Sequence, residues 1–184
     1  MIIASLETVQ LQTHVLPKLG NFPNSEFHQL PLLLYQHVLS LSEVEDAGEF
    51  VEELFEKNGF QPQWRYGMYK RSHYHSNTHE ILGIIRGEAT LRFGGGEKDA
   101  VEVKVARGDV LVIPVGVGHQ AVEMQGDFQM VGAYPESSPP WDMNYGETVE
   151  EFEQAASNIQ KVALPKTDPV YGKKGPLLEL WRSE

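Results

Sequence analysis

The sequence lacks cysteine altogether, and this absence excludes several kinds of chemistry. Disulfide bonds, thiolate metal sites and cysteine nucleophiles all need a thiol, so none of them is available to this chain. Any metal ion must therefore be held by histidine and carboxylate side chains. With 184 residues, of which 41% are apolar, the chain is long enough for one domain with a substantial core.

Long hydrophobic runs and clustered positive charges are also missing. The longest apolar run, at 30–34, contains Pro31 and falls far short of the roughly 18 residues that span a bilayer. The N-terminal segment has no basic region and carries Glu7, so it does not read as a secretory signal, and we expect a cytoplasmic protein. The net charge of −11 and the lack of a basic stripe argue against nucleic-acid binding. We therefore expect neither a membrane nor a nucleic acid as a partner.

The spacing of apolar residues divides the chain into three parts that we expect to form one globular domain. Residues 1–59 are interpreted as an N-terminal arm followed by a helix at 45–58. In this arm Pro31 suits either an edge strand at 30–35 or the first residue of a strand, and we expect the segment to pack on the main body or on a second subunit. Residues 136–184 are interpreted as a helix at 148–161 and an ordered arm. Thr148 and Glu151 have the spacing of a helix capping box.

The middle part, residues 60–135, has the period of a β-sheet. Val101, Val103 and Val105 alternate with charged residues, and glycine-rich turns separate one apolar run from the next. Seven or eight short strands without an intervening helix predict a sandwich or a barrel.

Within that part, three of the seven histidines and one glutamate lie close together in the sequence, at His73, His75, His79 and Glu80. His73 and His75 are two positions apart, so on a β-strand their side chains lie on the same face, about 7 Å from each other. His79 is adjacent to Glu80 and should face the opposite way, which favours a supporting role over a ligand role. Such a pair of imidazoles, joined by a carboxylate from a neighbouring strand, is typical of a metal site.

The same stretch resembles the first sequence motif of the cupin superfamily. That motif is a glycine, five residues, His-x-His, three or four residues, glutamate, six residues and a glycine. Gly67, His73, His75, Glu80 and Gly87 match it at every spacing.

The second cupin motif is also present. Gly108 is followed after five residues by Pro114, then by Gly116 and, two residues later, by His119. Glu123 stands where the motif has asparagine, a position that does not bind the metal in cupins. The segments 30–35, 132–135 and 168–172 are similar to those of a group of small, single-domain bacterial cupins whose functions are mostly unassigned.

The resemblance implies an all-β core, the double-stranded β-helix or jelly-roll barrel, with N- and C-terminal arms and two flanking helices. It implies metal ligands at His73, His75, Glu80 and His119. Three neutral imidazoles and a carboxylate suit Mn, Fe, Ni, Co or Zn better than Ca or Mg. We therefore expect one divalent transition metal as the cofactor.

Strand parity adds candidates for contact with a substrate. Tyr69 and Arg71 should share the inward face of His73, where Tyr69 would bind substrate or act in catalysis and Arg71 would bind an anionic group. The alternative for Arg71 is a position in solvent at the barrel mouth. Glu123 has the parity of His119 and is a candidate acid–base group, or else a charge at the rim.

The remaining interpretations concern packing. The loop at 141–145 either covers the barrel mouth or packs on the body. Phe128 and Met130 are expected in the core, and His14, His28 and His37 at the surface or in structural roles.

Three classes of function fit these observations. The first is a metal-dependent enzyme, similar to cupin dioxygenases, that acts on a small polar or carboxylated molecule. The second is a metal-dependent isomerase or epimerase of sugar-like substrates, and the third is a non-catalytic protein that binds a small ligand. Because edge strands need covering, we also expect a homodimer.

Overall fold

The computed structural model describes residues 2–96 and 98–182 of the chain. Seven strands and three helices follow one another in these residues: β1 (Gln10–His14), β2 (Leu32–Gln36), α1 (Ala47–Lys57), β3 (Phe60–Tyr66), β4 (Glu80–Phe93), β5 (Val101–Ala106), β6 (Val110–Ile113), β7 (His119–Pro135), α2 (Val149–Ile159) and α3 (Pro176–Leu180).

All the strands pair antiparallel, in the order β1-β2-β6-β4-β7-β3, with β5 beside β4. The two long strands β4 and β7 pair along most of their length, while the other edge of β4 pairs with β6 in its first half and with β5 in its second half. An all-β core of the jelly-roll type, flanked by a few helices, was expected and is confirmed.

The number of strands differs from the prediction. Residues 60–135 contain five strands rather than seven or eight, because β4 and β7 have 14 and 17 residues and take part in both halves of the barrel. Register shifts mark bulges where they bend. The expected alternation holds on β5, where Val103 and Val105 are buried and Glu102 and Lys104 are exposed.

Two apolar cores lie on opposite faces of the sheet. Leu82, Ile84, Leu91 and Met130 belong to the core inside the barrel. The outer core forms where α1, the N-terminal arm and the C-terminal arm cover the sheet, and it includes Phe55. Since both faces of β4 are covered near its start, residues 80–85 are buried without alternation.

Of the two alternatives for the segment at 30–35, the edge strand is wrong, whereas Pro31 does lie at the start of a strand, directly before Leu32. Strand β2 lies between β1 and β6, and its residues 32–35 are fully buried. The outermost strand on this side is β1, and the homodimer stays a prediction.

The two expected helices are present with slightly shorter bounds. The side chains of Asp46 and Thr148 accept the first-turn N–H groups of α1 and α2, respectively. The capping box at α2 is incomplete, because the Glu151 carboxylate binds the backbone N–H of Gly146. No helix among the described residues is long and apolar enough to cross a membrane.

The C-terminal arm is ordered and adds the short helix α3. The buried Asp168 carboxylate accepts the hydroxyl of Tyr35 at 2.6 Å and backbone N–H groups of the arm itself. Val170, Leu177 and Trp181 are buried against the outer core.

Candidate metal centre

The first part of the site is a short pairing between two segments that each carry a histidine. His73 and His119 exchange backbone hydrogen bonds of 3.2 and 2.9 Å, so their imidazoles lie side by side with ring centroids 4.2 Å apart. His73 and Tyr74 form isolated bridges, and residues 73–75 keep the alternation of a strand without forming a regular one. Tyr74 therefore points away, into an outer apolar cluster, while His73 and His75 both point inward.

Glu80, the first residue of β4, faces this group of histidines. One ligand atom of each of His73, His75 and His119 lies within 4.8 Å of the others. Oε2 of Glu80 lies 3.1 Å from Nε2 of His119, and Oε1 lies 3.4 Å from Nε2 of His75. Ligand atoms that share one ion at about 2.1 Å are roughly 3 to 4 Å apart, so these separations fit a common centre. All four residues are at most 4% exposed.

The protein fixes the orientation of each imidazole through its other nitrogen. Nδ1 of His73, His75 and His119 contacts the backbone carbonyl oxygen of Arg71, Asp142 and Val117, at 3.0, 2.5 and 2.9 Å respectively. Because a carbonyl oxygen only accepts, each Nδ1 must carry the proton. In the neutral form every Nε2 then presents a lone pair to the centre, the tautomer that metal-binding histidines adopt.

Several polar atoms at this centre have no hydrogen-bond partner among the described residues. They are Nε2 of His75, Nε2 of His119 and Oε2 of Glu80, all buried. Buried polar atoms are nearly always satisfied, so a group of orphaned acceptors that face one another indicates a place for a cation. The donor set of three imidazoles and a carboxylate suits a divalent transition metal.

The electrostatics of the site also attract positive charge. Burial by itself raises the pKa of Glu80, but the neighbouring His75 and His119 lower it far more, so the carboxylate is ionised. Burial by itself lowers the pKa of His75, and the charge of Glu80 outweighs this and raises it overall. The pKa of His73 is lowered to about 3, mainly by burial and, to a smaller extent, by the nearby His119, so that imidazole stays neutral.

The four residues lie at the inner end of a pocket of about 280 Å³. Aromatic and thioether side chains form most of its wall: Trp64, Tyr66, Tyr69, Tyr134, Trp141, Met68, Met130 and Met143. Among the described residues that line it, Arg65 is the one cation, and Glu52 binds its guanidinium with two hydrogen bonds of 2.7 and 2.6 Å. The wall is therefore largely apolar and offers no unpaired positive charge.

The inward position expected for Arg71 is wrong, and the structure shows the alternative, a position in solvent at the barrel mouth. β3 ends at Tyr66 and the chain bends at residues 70 and 71, so the alternation assumed there does not hold. Arg71 is exposed at the mouth, where its guanidinium lies 3.8 Å from the ring centroid of Tyr145 and pairs with Glu147. Tyr69 lies at the same mouth, 53% exposed, with its ring edge-on to His73 at 5.5 Å.

The prediction that Glu123 shares the inward face of His119 is also wrong. On β7, Glu123 pairs with Thr90 while Ala121 pairs with Leu91, so the bulge at Val122 reverses the alternation. Glu123 is exposed, accepts a hydrogen bond from Gln125, and lines a separate cleft outside the centre. An acid–base role at the metal centre does not fit this position.

The other histidines have structural positions or lie at the surface. His79 faces away from Glu80 and is 1% exposed, and its Nδ1 accepts the N–H of Val115 at 3.0 Å. His28 bonds to the carbonyl oxygen of the same residue at 2.8 Å. The His37 side chain is 72% exposed, and His14 lies at the end of β1. Phe128 and Met130 are buried as expected.

Two features of the site were not anticipated. Tyr134 donates its hydroxyl hydrogen to Oε1 of Glu80 at 2.8 Å, and Trp64 donates its indole N–H to that hydroxyl at 3.0 Å. The alternation that places Met130 inside the barrel extends along β7 to Tyr134 and could have identified it. The bulge between Pro62 and Trp64 has no comparable signal in the sequence.

Comparisons with known proteins agree with this fold. The family model described as Cupin matches residues 67–157. The uncharacterised protein YjlB of Bacillus subtilis is 39% identical over 172 residues, which cover 94% of this chain and 97% of the relative.

Two solved structures are more distant. The TDP-quinovose 3,4-ketoisomerase WlaRB of Campylobacter jejuni is 15% identical with a TM-score of 0.37, over 51% of this chain and 68% of that one. A structure of oxalate decarboxylase is 20% identical with a TM-score of 0.34, over 78% of this chain and 33% of that one. The motif spacings, the antiparallel barrel, the Cupin match and the similarity to YjlB over nearly the full length of both chains lead to one conclusion: the chain belongs to the cupin superfamily.

Proposed function

We propose that this protein is a metal-dependent enzyme that holds one divalent transition metal, Mn, Fe, Ni, Co or Zn, with His73, His75, Glu80 and His119. The observation that carries the proposal is the set of imidazoles whose Nδ1 atoms all bind backbone carbonyls, so that their Nε2 atoms face one another beside the carboxylate of Glu80. When bound, such an ion acts as a Lewis acid and, if it is iron or manganese, as a redox centre.

The pocket supports a substrate whose body is uncharged and largely apolar. Arg65 is neutralised by Glu52, and Arg71, the residue on which the expectation of a carboxylated substrate depended, lies outside the pocket with Glu147. An anionic group that lies against this wall, away from the ion, would lose its hydration without gaining a cationic partner. The polar atoms of the substrate are thus expected at the inner end, beside Glu80.

This wall favours dioxygenase-type chemistry over the isomerisation of sugars. A sugar carries hydroxyl groups around its whole ring, and each of them needs a hydrogen-bond partner once it is buried. The aromatic and methionine side chains of the pocket supply few. Residues of the chain itself would exclude water from the bound substrate: Trp141 lies over His75 with ring centroids 5.5 Å apart, and Met143 lines the same mouth.

Metal analysis of protein purified without a histidine tag tests the first part of the proposal. After reconstitution with Fe²⁺ or Mn²⁺, the native chain should hold one ion per chain and His75→Asn should hold far less than one. His37→Asn is the matched control, because the His37 side chain is exposed outside the site and asparagine tolerates its positive φ of 50°. A native chain that holds no ion after reconstitution contradicts the proposal.

Oxygen uptake separates the classes of function. The loaded protein is supplied with a panel of small aromatic and aliphatic compounds while dissolved oxygen and product are both measured. Dioxygenase chemistry consumes oxygen together with the compound. Conversion without oxygen uptake would assign the isomerase class instead, and binding without conversion would assign a ligand-binding role.

A further inference from the structure

A chain of hydrogen bonds reaches Glu80 from the outer wall of the pocket. The indole N–H of Trp64 donates to the hydroxyl of Tyr134 at 3.0 Å, and this hydroxyl donates to Oε1 of Glu80 at 2.8 Å. The other oxygen, Oε2, has no hydrogen-bond partner among the described residues and lies nearest to His119. The two oxygens of the Glu80 carboxylate therefore have different environments: Oε1 accepts a hydrogen bond and Oε2 does not.

The backbone of β3 and β7 makes the contact between Trp64 and Tyr134 possible. A bulge between Pro62 and Trp64 shifts the register of β3 on β7, so that Trp64 pairs with Gly132. A Cβ atom at Gly132 would lie 2.1 Å from carbons of the indole ring, so only glycine leaves room for the ring at this position. Two positions along β7 from Gly132, Tyr134 lies on the same face, and its hydroxyl meets the indole N–H.

The distances around Glu80 show that both of its oxygens lie near the centre. Oε1 lies 3.4 Å from Nε2 of His75 and Oε2 lies 3.1 Å from Nε2 of His119, so both oxygens are close to the centre on which the imidazoles converge. Distance alone does not select one of them as a ligand. The hydroxyl of Tyr134 distinguishes them, because its hydrogen bond uses one lone pair of Oε1 and opposes rotation of the carboxylate.

We propose that Tyr134, held in place by Trp64, is a positioning residue that reserves Oε2 of Glu80 as the single carboxylate atom for the metal. This inference rests on the proposed function, since it presupposes the ion, but it goes beyond it by assigning the coordination mode. Supporting partners of metal ligands typically change the affinity for the ion 10- to 100-fold when they are lost. Without the hydroxyl of Tyr134, Oε1 is free to turn toward the ion and the carboxylate becomes bidentate.

The test uses Tyr134→Phe, with Zn²⁺ as the probe because it is redox-inert. Affinity is measured by competition with a chromogenic chelator. The coordination mode is read from the separation of the carboxylate stretches in the infrared difference spectrum of loaded minus metal-free protein, which is wide for a monodentate and narrow for a bidentate carboxylate.

Tyr35→Phe is the matched control. Tyr35 is also buried and donates to a carboxylate, Asp168, at 2.6 Å, but this pair lies in the outer core away from the centre. Both variants lose one buried tyrosine–carboxylate hydrogen bond, so both should lower the urea midpoint of unfolding. Only Tyr134→Phe should change the zinc site.

The expected result is a zinc dissociation constant raised roughly 10- to 100-fold in Tyr134→Phe, with a narrower carboxylate separation, and native values in Tyr35→Phe. Trp64→Phe should weaken zinc binding less, and it should have no further effect when combined with Tyr134→Phe, because Trp64 acts through Tyr134.

Two results would overturn the inference while the proposed function stands. One is a native chain that binds zinc together with a Tyr134→Phe variant whose affinity is within twofold of native and whose infrared spectrum is unchanged. The other is an equal loss of affinity in Tyr134→Phe and Tyr35→Phe, which would mark a general structural effect. A native chain that binds neither zinc nor, after reconstitution, iron or manganese refutes both the inference and the proposed function.

Discussion

Removal of His79, the histidine next to Glu80 that faces away from it, should make the protein less sensitive to acid. His79 is 1% exposed, and its Nδ1 accepts the N–H of Val115 at 3.0 Å, so its proton is on Nε2. Its ring packs on Trp181 with centroids 4.7 Å apart. A proton added to Nδ1 would break the hydrogen bond and bury a charge.

The size of this effect follows from the difference between the pKa of His79 in the folded state and its pKa in the unfolded state. Burial lowers the pKa of His79 from 6.5 to about 3. Between these two values the unfolded chain binds a proton that the folded chain does not, so stability falls as the pH falls, by about 1.4 kcal/mol per pH unit. From about pH 7 to about pH 4, the resulting loss is roughly 3 kcal/mol for this one residue.

The substitution His79→Asn isolates the effect, because the asparagine oxygen can accept the same N–H but does not titrate. At neutral pH the variant should be less stable by about 1–2 kcal/mol, since it loses ring packing. Near pH 4 the native chain loses more than this, so the order of stability should reverse. Urea unfolding at a series of pH values in EDTA, which keeps metal binding out of the comparison, measures the difference. His37→Asn shows how much of any change comes from removing a histidine as such.

Titratable groups that both chains contain contribute equally to both free energies of unfolding. The pH dependence of the difference between the native chain and His79→Asn therefore reports on His79 directly. A difference between the native chain and His79→Asn that stays constant, within about 0.5 kcal/mol, from neutral pH to pH 4 would refute the reasoning. It would mean that the folded protein accommodates a charged His79 at little cost. Its burial and its hydrogen bond from Val115 imply the opposite.

Four further outcomes are expected. Gly132→Ala should cost about 1–3 kcal/mol in urea unfolding, because its Cβ collides with the Trp64 ring, whereas at Gly96 the nearest atom would be 3.9 Å away and the same change should be well tolerated. Asp168→Ala should cost about 3 kcal/mol or more, since several buried donors lose their acceptor, and should expose the C-terminal arm to proteolysis. Arg71→Ala should change stability by less than about 1 kcal/mol, because its ion pair is exposed. Sedimentation equilibrium should give twice the mass of the monomer, since we expect a homodimer.

The positions at the centre could be predicted because the relevant signals are local. His73 and His75 share a face through the period of two, and the spacing from Glu80 to Leu82 places the carboxylate on the barrel side of β4. His119 lies outside this stretch, and its predicted place came from the second motif. In the structure its backbone pairs with that of His73, a contact between residues far apart in sequence.

The same parity argument failed at two places where a bend or a bulge interrupts the extended backbone. It requires uninterrupted extended backbone, and the bend at residues 70 and 71 and the bulge at Val122 each interrupt it. Arg71 and Glu123 are consequently outside the site. Bulges depend on how two distant strands fit together, so a single segment of sequence carries little information about them.

The place of β2 was misjudged for a related reason. Pro31 was compatible with an edge strand or with the start of a strand, and the structure shows the second, because it directly precedes Leu32 and does not interrupt any ladder. The run of leucines that follows is buried on both faces, as in a central strand.

The segment after the barrel is part of the site and not only a cover for it. The carbonyl oxygen of Asp142 accepts from Nδ1 of His75, and the carboxylate of the same residue binds both the backbone N–H and the hydroxyl of Ser76. Asn158 of α2 donates to that hydroxyl at 3.0 Å. Through these contacts the loop at 141–145 and helix α2 hold the ring orientation of His75, one of the proposed ligands. The C-terminal part of the chain therefore contributes to the geometry of the candidate metal centre through hydrogen bonds to His75 and its neighbour, although it supplies none of the proposed ligands.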